Sequence, residues 1–273
     1  MWYNGVAPYI VIKTALQSRL SEDAMKPLQI PNIPRAGATL CAVSAGAQGA
    51  IEAIERLGIE TLPVGECGAL PWQVASHADM LLNHAGGREI FAAQPDAGYC
   101  RTLSERGFEV IPAGVALGRD YPLDTALNIA CVGEVVFIGR RCPGSRAAEF
   151  YRRTRRCVPV GQGYARCSVC VISASAIITA DGGICAAARE NGLDALPIRP
   201  GGIHIDGYDT GFIGGCCGLI APDTLAFCGD VSLLPDGENI RAFAREHGVF
   251  IEPLTGGVPE DIGGILPLMQ ADT

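Results

Sequence analysis

The sequence predicts a closed α/β propeller of five pseudo-symmetric blades. Two observations carry that reading. A unit of helix, glycine, strand and proline recurs along the chain, and a polar-studded apolar segment follows each proline at nearly constant spacing. A third observation, the lack of a final strand in the last copy, predicts how the ring closes.

The unit is met first at Ala53-Ile54-Glu55-Arg56-Leu57-Gly58, which leads to Pro63. It returns at Leu103–Gly107 with Pro112, at Ala188–Gly192 with Pro197 and at Ala244–Gly248 with Pro253. A fifth copy, Tyr151–Cys157 with Pro159, lacks the glycine. Glycine after an amphipathic stretch is a left-handed helix C-cap, and the apolar residues that follow predict a strand. The second signature begins at Asp79, Asp124, Arg166, Gly214 and Asp261, spaced 45, 42, 48 and 47 residues apart. Eleven residues beyond the first four lie Ile90, Val135, Ile177 and Leu225, each in an apolar strand-like run. The same count from Asp261 reaches Asp272, where no strand can follow. The predicted donor is the N-terminal strand Tyr9–Ile12, which would complete the last blade and remove open sheet edges. The whole of 1–273 then reads as one domain, with repeats at about 50–95, 96–142, 143–182, 183–232 and 233–273 plus the strand at 9–14. Residues 15–48 fit no copy and read as an elaboration with a short helix near Leu20–Leu28. A doubly wound sheet has one strand per helix; these units have about three.

Composition narrows the partners. Hydrophobic residues make up 48% and charged residues 18% of the 273, enough to bury a large core. The net charge is −8, and the one basic run, Arg152, Arg153, Arg155 and Arg156, falls in a helix-like segment, so no nucleic-acid surface is expected. An acidic chain suits a cationic small molecule better. No stretch approaches the ~20 apolar residues of a membrane helix. With no secretory leader in view, a cytoplasmic protein with reduced thiols is expected, most of the 12 Cys serving as small core residues. Oligomeric state is not legible.

The second signature carries the candidate chemistry. Read as strands, the five segments alternate faces. Met80, Leu82, Thr125, Leu127, Cys167, Val169, Cys217, Leu219 and Ile262 form an apolar face, expected to pack under the helices. Asp79, Asn83, Asp124, Asn128, Arg166, Ser168, Cys170, Cys216 and Asp261 form the other. Buried polar groups need partners, so five such strands around an axis predict a polar hub. Carboxylates there suit a planar cation, because guanidinium pairs bidentately with carboxylate. The competing reading is a self-satisfied hub in which Arg166 pairs with the Asp residues and the Asn side chains tie blade to blade.

The five copies, the strings Gly163–Cys170, Gly211–Gly218 and Asp261–Leu268, and the polar hub resemble the pentein superfamily over roughly residues 50–268, and within it an uncharacterised bacterial family. That superfamily includes arginine and agmatine deiminases, dimethylarginine hydrolases, amidinotransferases and the non-enzymatic translation initiation factor six. The resemblance implies a hydrolase or transferase acting on a guanidino or amidino small molecule by covalent cysteine catalysis, with a His as general acid/base and carboxylates on the guanidinium. His77-Ala78-Asp79 matches the His-x-Asp of these enzymes; His204-Ile205-Asp206 matches in type but precedes its hub segment. The enzymes' cysteine lies in the last copy, where this chain has none, so Cys216 of the fourth copy stands in as nucleophile with His77 as acid/base. Asp79, Asp124, Asp261, Asn83, Asn128 and Arg166 are the expected substrate-binding set. The initiation factor implies the alternative, a non-catalytic propeller that binds a ligand or protein partner.

No cofactor or metal is expected. Cys167, Cys170, Cys216 and Cys217 do not share a face, as a tetrahedral zinc site requires. Gly161-Gln162-Gly163 lacks the third glycine of a dinucleotide fingerprint and leads into a predicted strand.

Overall fold

A computed structural model describes residues 25–272 of the chain. Its strands fall into five small sheets, and each is built on one plan. In blade one, β4 (Leu82–Gly86) pairs antiparallel with β5 (Glu89–Ala92), and β5 pairs parallel with β6 (Glu109–Pro112). A parallel pair needs a crossover, and the helix Gly98–Glu105 supplies it. Blade two repeats the plan with β7 (Ala130–Val132), β8 (Val135–Gly139), the helix Arg146–Thr154 and β9 (Arg156–Val160). Blade three uses β10 (Cys170–Ser173), β11 (Ala176–Thr179), the helix Gly182–Glu190 and β12 (Asp194–Pro197). Blade four uses β13 (Cys217–Ala221), β14 (Thr224–Phe227), the helix Gly237–Glu246 and β15 (Phe250–Pro253).

The local signals behind these elements read out directly. Gly58, Gly107, Gly192 and Gly248 all have positive φ and end their helices. The prolines stand at or one residue before the ends of the third strands: Pro112 faces Ala92, Pro159 faces Ile138, Pro197 faces Thr179 and Pro253 faces Phe227. The helix without a glycine compensates at its other end, where the Ser145 hydroxyl accepts from the Ala148 N–H.

Blade five closes the ring differently from the sequence expectation. Its first strand, β16 (Leu266–Ala271), is flanked on one side by β1 (Met25–Pro27) and on the other by β2 (Ala38–Ser44). The chain continues through the helix Gln48–Arg56 to β3 (Glu60–Val64), parallel to β2, with Pro63 facing Val43. The ring is thus closed by an N-terminal segment, but Ala38–Ser44 holds the place assigned to Tyr9–Ile12, which lies outside the described residues. The small residues of Ala38-Thr39-Leu40-Cys41-Ala42-Val43-Ser44 blur the apolar signature, which is why the run does not stand out in the sequence as a strand. The expected helix near Leu20–Leu28 is a strand at Met25–Pro27 followed by Leu28 in no regular element; residues 20–24 lie outside the described residues.

A second correction bears on the site. The second-signature segments are not strands throughout. Four begin as a single helical turn, at Ala78–Leu81, Leu123–Thr125, Ala165–Ser168 and Ile213–Cys216, before their inner strands start. Residues 261–265 are irregular, and β16 starts at Leu266. Successive side chains in these turns are about 100–120° apart rather than opposed, so the two-face alternation does not apply there. Met80, Leu82, Leu127, Val169, Cys217, Leu219 and Ile262 are nonetheless all buried.

Among the described residues, no helix is long and apolar enough to cross a membrane.

Candidate functional site at the blade junctions

The helical turns bring the polar side chains of different blades into contact. Asp79, at the entrance to blade one, places Oδ2 at 2.9 Å from the Cys167 thiol, at the entrance to blade three. Cys167 therefore meets a hub carboxylate while it also packs in the apolar cluster that holds Met80 and Leu82, a placement the helical turn allows. Between them sits Asn128. Its Nδ2 donates to the Asp79 carbonyl and lies 2.9 Å from the Cys167 sulfur, while its Oδ1 accepts from the Arg166 and Cys167 N–H groups. Asn83 is equally committed: its amide donates to the Leu127 and Ile129 carbonyls and accepts from the Tyr151 hydroxyl. Both amides tie neighbouring blades together.

Asp261 is almost wholly buried and accepts from two backbone groups, the Phe212 N–H at 2.8 Å and the Gly263 N–H at 3.1 Å. His77 Nδ1 lies 3.9 Å from Asp261 Oδ1. Two glycines make that meeting possible. A Cβ on Gly215 would collide with the Asp261 carboxylate, and one on Gly263 would collide with the His77 Cβ. Burial pushes the Asp261 carboxyl above the usual carboxylate range, a rise that His77 opposes and Asp79 reinforces.

Asp124 accepts a 2.6 Å hydrogen bond from the Tyr164 hydroxyl. Burial raises the Asp124 carboxyl, and both burial and Asp124 raise the Tyr164 phenol. Tyr164 stands in a row of rings, 6.0 Å from Tyr121 and 5.9 Å from Phe212. Sequence reasoning misses this row. Its signal is present, since Tyr164 and Phe212 each immediately precede a hub turn.

These carboxylates are not fully satisfied. Asp79 Oδ1 and Asp124 Oδ1 are buried with no hydrogen-bond partner among the described residues. Arg166 does not supply one. It forms no ion pair among the described residues, and its Nη1 reaches only the Val169 and Gly214 carbonyls.

Cys216 is fully buried, with its thiol 3.4 Å from the Phe212 carbonyl. Burial pushes this thiol far up, and the nearby Asp261 charge adds to the rise. Cys167 is raised for the same reasons, with Asp79 as the neighbouring charge. His204 is largely exposed, with Nε2 at 3.3 Å from Asp206. Its carbonyl accepts from the Asp261 N–H at 2.9 Å, so the His204 backbone braces the Asp261 turn while its imidazole faces outward. Among the described residues, no three His, Cys, Asp or Glu side chains converge as a metal site.

The fold is that of the penteins. An inosamine-phosphate amidinotransferase from Streptomyces griseus superposes with a TM-score of 0.54 at 11% identity, over 89% of this chain and 97% of its own. The amidinotransferase SxtG of the saxitoxin biosynthetic pathway, from Microseira wollei, gives 0.52 at 10% identity, over 82% and 91%. The C. jejuni agmatine deiminase gives 0.53 at 11% identity, over 87% and 93%. By sequence, the chain belongs to a family of unknown function (DUF6873), whose model matches residues 42–266. No curated protein matches it.

Proposed function

We propose that the hub recognises a guanidino or amidino small molecule. The observation that carries this reading is the pair of unpartnered carboxylate oxygens, Asp79 Oδ1 and Asp124 Oδ1. A buried acceptor without a donor costs about 1–3 kcal/mol, and a planar cation with several N–H groups would satisfy both. The ring row Tyr121–Tyr164–Phe212 beside Asp124 supports the same ligand class, since aromatic faces attract cations. Asp261 adds a third carboxyl group, and Asn83 and Asn128 hold the blades in register around it. The penteins that superpose on this chain include amidinotransferases and an agmatine deiminase, which is consistent with this ligand class.

The chemistry proposed for this ligand is covalent. The Cys216 sulfur attacks the guanidino carbon, an S–C bond forms, and the C–N bond to the departing amine breaks as His77 delivers its proton. Water then cleaves the S–C bond in a hydrolase; an acceptor amine takes the amidino group in a transferase. The bound cation favours the thiolate that burial and Asp261 oppose. A second reading, a propeller that binds this ligand without reacting, is favoured by the full burial of Cys216.

Calorimetric titration with guanidine, L-arginine and agmatine tests recognition. Saturable binding that weakens at least ~10-fold in Asp79→Asn, as expected for loss of a charged partner, supports it. No heat with any guanidino or amidino compound in a broad panel would sink it. Intact-mass analysis during incubation with a bound compound separates the two chemistries. An adduct that Cys216→Ala abolishes supports covalent reaction, and an unmodified chain with an unchanged ligand supports binding alone.

A further inference from the structure

Arg166 is 4% exposed, yet its guanidinium is poorly matched. Its two bonds to carbonyls are long, at 3.4 and 3.3 Å, and Nε has no partner among the described residues. Arginine does not deprotonate in a protein, so burial cannot be relieved by neutralisation. A buried ion without a counter-charge is strongly destabilising.

Arg166 also lines a narrow cavity, apart from the carboxylates of the candidate site. The walls combine apolar groups from Leu82, Ile129, Leu266 and Pro267 with polar ones from Asn32, Asn83, His84 and Tyr151, and Arg166 is the one charged side chain among the residues that line it. Asn83 and Tyr151 bond each other and the backbone, Asn32 Nδ2 bonds the Cys131 carbonyl, and His84 Nε2 bonds the Gly87 carbonyl, while His84 Nδ1 has no partner among the described residues. Burial lowers the His84 pKa to about 4, so its ring is neutral at physiological pH. The space has room for about one water-sized particle.

We propose that this cavity is a binding site for a small monovalent anion of halide size, seated on the Arg166 guanidinium. The small volume excludes hydrated or tetrahedral anions, and the unpartnered Nε supplies a charge-assisted donor. The anion neutralises the buried cation at the blade junction. This inference is independent of the guanidino reading.

The test is thermal unfolding of the full chain in a halide-free gluconate buffer, titrated with sodium chloride or bromide at constant ionic strength. The expected result is a saturable rise in the midpoint of at least ~3 °C, as selective binding to the folded state requires, with no rise on added gluconate or sulfate. Bromide-soaked crystals should show an anomalous peak within hydrogen-bond distance of the guanidinium. Arg166→Met should remove the halide dependence; if that variant does not fold, the wild-type titration and the anomalous map decide. A midpoint indifferent to halide, or a cavity holding only water in the bromide map, would overturn the proposal.

Discussion

At the scale of single residues, the Asp124–Tyr164 pair holds a half-satisfied buried carboxylate. Asp124 has one oxygen bonded to the phenol and one unbonded. Asparagine at this position keeps an oxygen for Tyr164 and removes the buried charge. Burial raises the folded-state pKa of Asp124 above its unperturbed 3.8, so folding takes up a proton between the two values. Stability is therefore full below the unfolded value and falls as pH rises through the folded one. Asp124→Asn escapes that loss. Its urea midpoint at pH 7 should equal or exceed that of the wild type, and the wild type should gain on it as the pH falls toward 4. Affinity for guanidino compounds should drop in the same variant. Equal pH profiles for the two proteins would show that Asp124 is not a strained carboxylate.

At the scale of elements, the turn before each inner strand decides which side chains meet. The sequence marks these turns by spacing and by their first residues, and it identifies Asp79, Asp124, Arg166 and Asp261 as members of one series. Strand alternation misses the contact of Cys167 with Asp79, because the Cys167 segment is a helical turn. The apolar periods of a single turn and a short strand are indistinguishable over four residues. The segment Gly214-Gly215-Cys216-Cys217-Gly218 shows a further constraint. A Cβ on Gly218 would collide with the Ile265 carbonyl oxygen, a backbone atom that cannot swing aside. Gly218→Ala should therefore separate blades four and five and destabilise the chain by about 3 kcal/mol, measured by urea unfolding. A loss below about 1 kcal/mol would mean that the two blades are not locked at this contact.

At the scale of the whole molecule, the ring depends on a strand from the far end of the chain. β16 lies between β1 and β2, and its removal exposes an edge of both. A chain ending at Gly264 should lose cooperative unfolding by circular dichroism and self-associate through the freed edges. A monomer with the wild-type transition would show that closure contributes nothing to the fold.

The sequence alone determined the five-fold repeat, the helix–glycine–strand–proline plan, the circular closure and the polar series at the blade entrances. Those features rest on local chemistry: a left-handed glycine, a strand-ending proline and apolar periodicity are written within a few residues of where they act. Only the tertiary structure decided that Ala38–Ser44 fills the closing blade, that Cys167 bonds Asp79, and that Arg166 stands apart from the carboxylates in a cavity of its own. Each of these joins residues dozens to hundreds of positions apart. Their geometry follows from how five blades pack around one axis, and no local pattern encodes that.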